Sequence, residues 1–298
     1  MERVSYGGWT DCVRLANGEV EAIVTGAVGP RVIRLGFIGQ RNLFAQVPEQ
    51  MGRQGESTWQ IRGGHRFWLA PEDAEQTYEL DNEPVACRAA PNGLTVSQPP
   101  GSRTHMAKQM RLTLDPRRNG FEVRHTLRNA GRRPVTWAPW ALSVMAPGGQ
   151  LIVPLPEKKP HPEHMLPNQQ WILWPYTDLG DARWRIGPRY LTLRQNRRRG
   201  PNKLGLMHRE GWVAYQLGEF VFIKEFACRA GADYPDGGVN FETFTNEWML
   251  EVESLGPLVT LAPGRSVTHL ERWRLHRGVP PCRTEQDLDR HIRPLMDQ

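Results

Sequence analysis

Two carboxylates standing two residues apart are the first groups in this chain that could do chemistry. Within Asn240–Leu275, NFETFTNEWMLEVESLGPLVTLAPGRSVTHLERWRL, the residues Met249, Glu251 and Glu253 alternate with Trp248, Leu250 and Val252. Period-two alternation predicts a strand with one apolar face and one acidic face. Like charges on one face repel, so one carboxyl of the pair holds its proton more tightly and can act as a general base. An antiparallel sheet with a wetted side would also place Glu there without function. The two readings separate on whether the acids line a groove.

A second dense stretch is 58–72, TWQIRGGHRFWLAPE. Arg62 and Arg66 offer hydrogen-bond donors, His65 a titrating imidazole, Glu72 a carboxylate and Trp68 a stacking plate. Gly63 and Gly64 predict a tight turn that a ligand could approach closely. A bulged strand whose Arg and Glu simply pair is the plainer alternative. In FVFIKEF, Lys224 shares a face with Phe220, Phe222 and Phe226. A Lys on an apolar face demands an acid, and Glu251 or Glu253 on a neighbouring strand is the expected partner.

Short alternating runs separated by turn residues must position these groups. Residues 9–38 read as strands around an Asn17-Gly18 hairpin turn. Further runs fall at Val85–Ala89, Leu94–Ser97, Ala107–Leu114, Phe121–Leu127, Val135–Met145, Gly211–Leu217 and Glu219–Cys228. The segment 151–200 is the least regular, with a long polar, Pro-rich loop and then Trp171, Trp174, Tyr176 and Trp184 among Asp178 and Asp181. The tail 284–298 has helical spacing behind a Thr N-cap.

The chain has 298 residues, of which 39% are hydrophobic and 23% charged, enough for a buried core. The net charge of +6 comes largely from Arg clusters such as RQNRRR at 194–199. No nucleic-acid module accompanies them, so they read as a solvated surface, with no nucleic-acid partner expected. The four Cys have no Cys-x-x-Cys spacing, so no metal site and no cofactor are expected. No stretch has the length of a membrane span and the N-terminus lacks a signal-peptide core. A cytoplasmic protein of one domain over 1–298, monomer or homodimer, is the expectation.

Together these segments resemble the galactose mutarotase-like superfamily over roughly residues 9–277. NGEVEAIVTGAVGPRVIRLGF resembles its first hairpin, and RGGHRFW its Arg-Gly-Gly-type segment. HTLRNAGRRPVTWAPWALSV resembles its strand with Asn-x-Gly and Pro, and LEVESLGPLVTLAPGRSVTHLERWRL the segment holding its catalytic Glu. The resemblance implies a mainly β fold, a large antiparallel β supersandwich with a short C-terminal helix. It implies a small-molecule sugar substrate and a sugar 1-epimerase, in which a Glu removes the anomeric proton and a His protonates the ring oxygen. Glu253 takes the place of that base, with Glu251 the near alternative. Where the family carries its acid His this chain reads WAPWAL, so His65 is expected to substitute, with Arg62, Arg66, Trp68, Glu72, Lys224 and Glu251 as substrate ligands. A non-catalytic carbohydrate-binding protein is the alternative, as is a polysaccharide lyase or hydrolase.

Overall fold

Runs of alternating residues broken by Gly, Pro and Asn become strands in the computed structural model, which describes residues 1–297. The first are β1 (Glu2–Tyr6), β2 (Trp9–Ala16), β3 (Val20–Thr25), β4 (Arg31–Phe37), β5 (Gly64–Ala70), β6 (Ala86–Ala90) and β7 (Gly93–Gln98). They continue as β8 (Met106–Leu114), β9 (Gly120–Asn129), β10 (Val135–Met145), β11 (Gln150–Pro154), β12 (Trp171–Leu173), β13 (Trp184–Ile186) and β14 (Tyr190–Arg194). The last are β15 (Asn202–Leu206), β16 (Trp212–Leu217), β17 (Phe220–Phe226), β18 (Phe241–Thr245), β19 (Leu250–Leu255), β20 (Val259–Leu261) and β21 (Ser266–His276), followed by helix α1 (Glu285–His291).

Two large sheets result. One has 11 strands in the order β1-β2-β3-β4-β5-β10-β19-β18-β15-β12, with β20 also pairing β10. The other has 10 strands, ordered β13-β14-β11-β16-β17-β21-β9-β8-β7-β6. Neighbours run antiparallel, as in β10 with β5 and β19, or β21 with β9. Between the sheets lies a shared core to which β19 gives Leu250 and Val252, β5 gives Phe67 and Leu69, and β21 gives Trp273 and Leu275. The expected β sandwich is therefore present. So is the C-terminal helix, where Thr284 accepts from the Asp287 N–H and Asp287 returns a bond to the Thr284 N–H.

Three differences from the sequence reading bear on function. Strand β1 lies ahead of the first expected strand. The segment 151–200 contributes β11 to β14, although residues 155–170 contain no strand. Strands β15 and β18 were not expected at all, and they form the wall beside β19.

Candidate active site

Cross-strand register builds the site. Arg66 on β5 pairs with Leu142 on β10, Leu142 with Glu253 on β19, and Glu253 with Glu242 on β18. Residues two apart share a face, so Trp68, Trp140 and Glu251 stand on the same side. This is the outer face of the first sheet, turned away from the shared core. A cavity of about 250 Å³ opens on it, lined by Arg66, Trp68, Glu72, Glu251 and Glu253 together with Trp59, Tyr78, Trp140, Tyr176 and Lys203. Three larger hollows, of about 1150, 770 and 400 Å³, lie elsewhere, each with Arg in its lining. None lines its walls with the buried Glu pair of β19, so the smaller cavity is the chemical candidate.

The cavity wall is heavily charged. Arg66 Nη1 donates to Glu251 Oε1 at 2.6 Å, and its guanidinium lies 4.2 Å from the Trp68 ring centre and 5.4 Å from that of Trp59. Both stackings hold the fork in one orientation. Lys203 on β15 reaches Glu242 Oε2 at 2.7 Å and stands 3.7 Å from Glu72 Oε2, with Trp140 and Trp174 flanking its ammonium. Tyr78 donates its hydroxyl to Glu72 at 2.6 Å. Trp140 Nε1 donates to Glu253 Oε2 at 2.9 Å, while Glu253 Oε1 is buried without a partner.

Glu253 is buried to within 1% of full enclosure. Burial pushes its carboxyl up to about 7, and neighbouring Glu251 adds to the rise while Lys203 opposes it. The same cause, burial, raises Glu242 well above the carboxylate range against the pull of Lys203. Burial disfavours the Lys203 ammonium, but Glu253, Glu242 and Glu72 more than compensate and its pKa rises. A cation thus persists between acids, one of which titrates near neutrality.

That titration carries a stability consequence. Folded Glu253 keeps its proton up to about 7 against a reference of 4.5, so its favourable contribution is complete below the reference value and lost as pH rises through 7. Glu253→Gln removes the buried charge and should gain stability relative to the parent between about pH 5 and pH 8, by up to ~3 kcal/mol before relaxation. Thermal unfolding at both pH values reads this, and a pH-independent difference in Tm would refute the raised carboxyl.

His65 does not join the cavity. It follows Gly64 and precedes Arg66, so the strand turns it to the opposite face. There, fully buried between the sheets, its Nδ1 lies 2.8 Å from Ser143 Oγ and its Nε2 2.8 Å from His125 Nε2. The expected acid is corrected on that ground. Lys224 is on the same inner face, and its partner is Glu271 at 2.9 Å rather than Glu251 or Glu253. The reason is sheet membership: β17 pairs with β21, which carries Glu271, while β19 is in the other sheet. Lys224 also donates to the Val252 carbonyl. Arg62 is removed as a ligand too, since Glu56, Asn82 and the Gln50 carbonyl absorb its guanidinium. The Gly pair serves the chain's own backbone: a Cβ would stand 2.1 Å from Ala45 O at Gly63 and 2.3 Å from Val32 O at Gly64.

The inner cluster is largely satisfied, with His125 Nδ1 its buried atom without a partner. Ser254 Oγ and Trp273 Nε1 donate to Glu271, and Ser254 Oγ also bonds His269. Burial lowers His125 to about 4 and His269 to about 3, so both rings are neutral at pH 7. Burial works to raise Glu271, but Lys224 and the three imidazoles outweigh it and hold the carboxyl below its usual range. His65, His125 and Glu271 bring three ligand atoms within 4.8 Å. Both Glu271 oxygens are already hydrogen-bonded, Oε1 to Lys224 and Ser254 and Oε2 to Trp273.

Five residues of the site went unnoticed as site residues in the sequence: Trp59, Tyr78, Trp140, Lys203 and Glu242. Glu242 had a signal, a lone acid between Phe241 and Thr243 in FETFT.

Comparison with solved structures identifies the fold as that of the galactose mutarotase-like proteins. The chain is similar to a galactose mutarotase-like protein from Lactobacillus casei, at 13% identity and TM-score 0.60, covering 89% of this chain and 100% of that one. It is similar to the Slr1438 protein from Synechocystis, at 11% identity and TM-score 0.62 over 93% of this chain and 100% of that one. A protein from Escherichia coli provisionally described as an aldose 1-epimerase matches at 12% identity and TM-score 0.59, over 89% and 99% of the two chains. No protein-family model matches the sequence, and no curated protein does. Among the described residues, no helix is long and apolar enough to cross a membrane.

Proposed function

We propose that the outer-face cavity binds a monosaccharide and that Glu253 catalyses interconversion of its anomers. The observation that carries this is Glu253 itself: a buried carboxyl titrating near 7, with one oxygen free, on the wall of a small aromatic cavity. About 250 Å³ is below the roughly 300–1,000 Å³ of drug-sized sites and favours one sugar ring over a polymer. Trp59, Trp68 and Trp140 supply faces for the C–H side of a sugar, and Arg66 and Lys203 supply donors to its hydroxyls.

In this reading Glu253 removes the anomeric hydroxyl proton as the bond from the anomeric carbon to the ring oxygen breaks. The ring oxygen gains a proton from Lys203, leaving an open-chain aldehyde. Rotation about the C1–C2 bond and closure on the other face return both protons to their donors. Lys203 holds its proton tightly, so it is a weaker acid than an imidazole and a slower reaction follows.

Non-catalytic sugar binding is the second reading, and the observation favouring it is that no imidazole lines the cavity. The test is anomer exchange followed by polarimetry or NMR with several aldoses. Catalysis predicts a rate above the spontaneous one that scales with protein concentration. Binding with an unchanged rate would leave only the second reading.

A further inference from the structure

One hollow of this protein has walls of a single sign. The hollow of about 770 Å³ forms where the β7–β8 and β9–β10 connections meet, and Arg103, His105, Arg132 and Arg133 line it together with Thr136 and Trp137 of β10. No Asp or Glu lines it. By contrast, the 1150 Å³ hollow sets Glu122 and Glu225 among its Arg, and the 400 Å³ hollow sets Glu79 and Glu83 beside Arg103. Arg103 gives one N–H to the Glu75 carbonyl at 3.3 Å. Among the described residues, the side chains of Arg132 and Arg133 bond no protein atom and no carboxylate pairs with any of the three guanidiniums. The nearby Glu79 carboxylate is already taken by the Arg103 and Thr104 N–H groups and the Thr104 hydroxyl. Water screens a lone exposed Arg, but a concave wall of one sign concentrates its field on whatever enters. The frame is also fixed in advance. Buried Asn129 donates to the Arg133 and Leu261 carbonyls and accepts from the Gly131 N–H, and the Ala130 N–H reaches across to the His105 carbonyl. A ligand would therefore have to order side chains, not loops.

We propose that this hollow is a second binding site, for the phosphate ester of a small organic molecule, with Arg132 and Arg133 as the phosphate's partners and Trp137 beside the ester's body. Planar guanidinium forks meet phosphate oxygens in pairs. Three uncompensated cations suit a dianion better than a single carboxylate. About 770 Å³ is within the roughly 300–1,000 Å³ of small-molecule sites, so there is room for more than the phosphate alone. The site shares no lining residue with the outer-face cavity, and it stands or falls independently of the sugar-binding reading.

Calorimetric titration of the full chain at about pH 7.5, above the second phosphate ionisation near 6, compares glucose 6-phosphate and adenosine monophosphate with glucose, adenosine and inorganic phosphate. At least one ester is expected to bind about tenfold more tightly than both its unphosphorylated counterpart and inorganic phosphate, and to weaken as sodium chloride is raised. The double variant Arg132→Gln with Arg133→Gln should lose about tenfold in affinity for that ester. It should unfold at the parent's temperature, since neither side chain bonds the protein. Ester binding indifferent to the double substitution would place the ligand elsewhere and overturn the inference. Inorganic phosphate bound as tightly as either ester would reduce the hollow to an adventitious ion only, and binding of neither ester would remove the site.

Discussion

Glu253→Gln is expected to slow anomer exchange by about 10²–10⁴-fold, the range of a lost general acid or base. Sugar affinity should change little by comparison. Gln keeps the shape and an acceptor for the Trp140 N–H that now reaches Glu253 Oε2 at 2.9 Å, but it cannot take a proton. The parent rate should climb with pH through about 7, because only the ionised carboxylate accepts the hydroxyl proton and burial holds that ionisation near neutrality. NMR exchange spectroscopy on an equilibrated aldose measures both effects. An unchanged rate in the variant would remove Glu253 from the mechanism.

Lys224→Met is expected to destabilise the fold by about 3–5 kcal/mol, the cost of stranding one member of a buried ion pair. Lys224 and Glu271 are both fully enclosed and 2.9 Å apart. Without the ammonium, the Glu271 charge would face three imidazoles that are neutral at pH 7. Acidification lets one of those rings take a proton and stand in for the lost cation, so the deficit should narrow as pH falls. Adding Glu271→Gln should recover part of the loss, since a neutral pair costs less to bury than a single charge. Urea unfolding of the parent, both single variants and the double variant reads the coupling. Strictly additive effects would mean that the pair does not act as one. Folded Lys224→Met protein should still bind sugar, because the inner cluster and the cavity occupy opposite faces of the first sheet.

Those opposite faces explain what the sequence could and could not convey. Alternation placed Glu251 and Glu253 together and opposite Leu250 and Val252, and the structure keeps that division. It also placed Arg66 and Trp68 on one face. The same rule excludes His65 from the cavity, since one step along a strand reverses the side chain's direction. Treating Arg62, His65 and Arg66 as one group joined residues that the pleat separates. The Lys224 partner was misplaced for a different reason. Strand order is a long-range property, and nothing local to FVFIKEF says whether Glu253 or Glu271 lies beside it. Lys203 and Glu242 escaped because β15 and β18 are five-residue strands. NKLGL follows a basic turn and contains Gly, so it lacks the β-branched enrichment that marks a strand. Trp140 sits in WAPWAL, a segment noticed for lacking His, and its indole N–H turns out to hold the proposed base.

A crystal structure of the protein soaked with a hexose tests the central claim most directly. The account predicts one sugar ring in the cavity lined by Trp59, Trp68 and Trp140, with its anomeric oxygen in hydrogen-bond reach of Glu253 Oε1. Sugar bound only in the outlying Arg-lined hollows, or a ring in the cavity with its anomeric carbon turned away from Glu253, would contradict it.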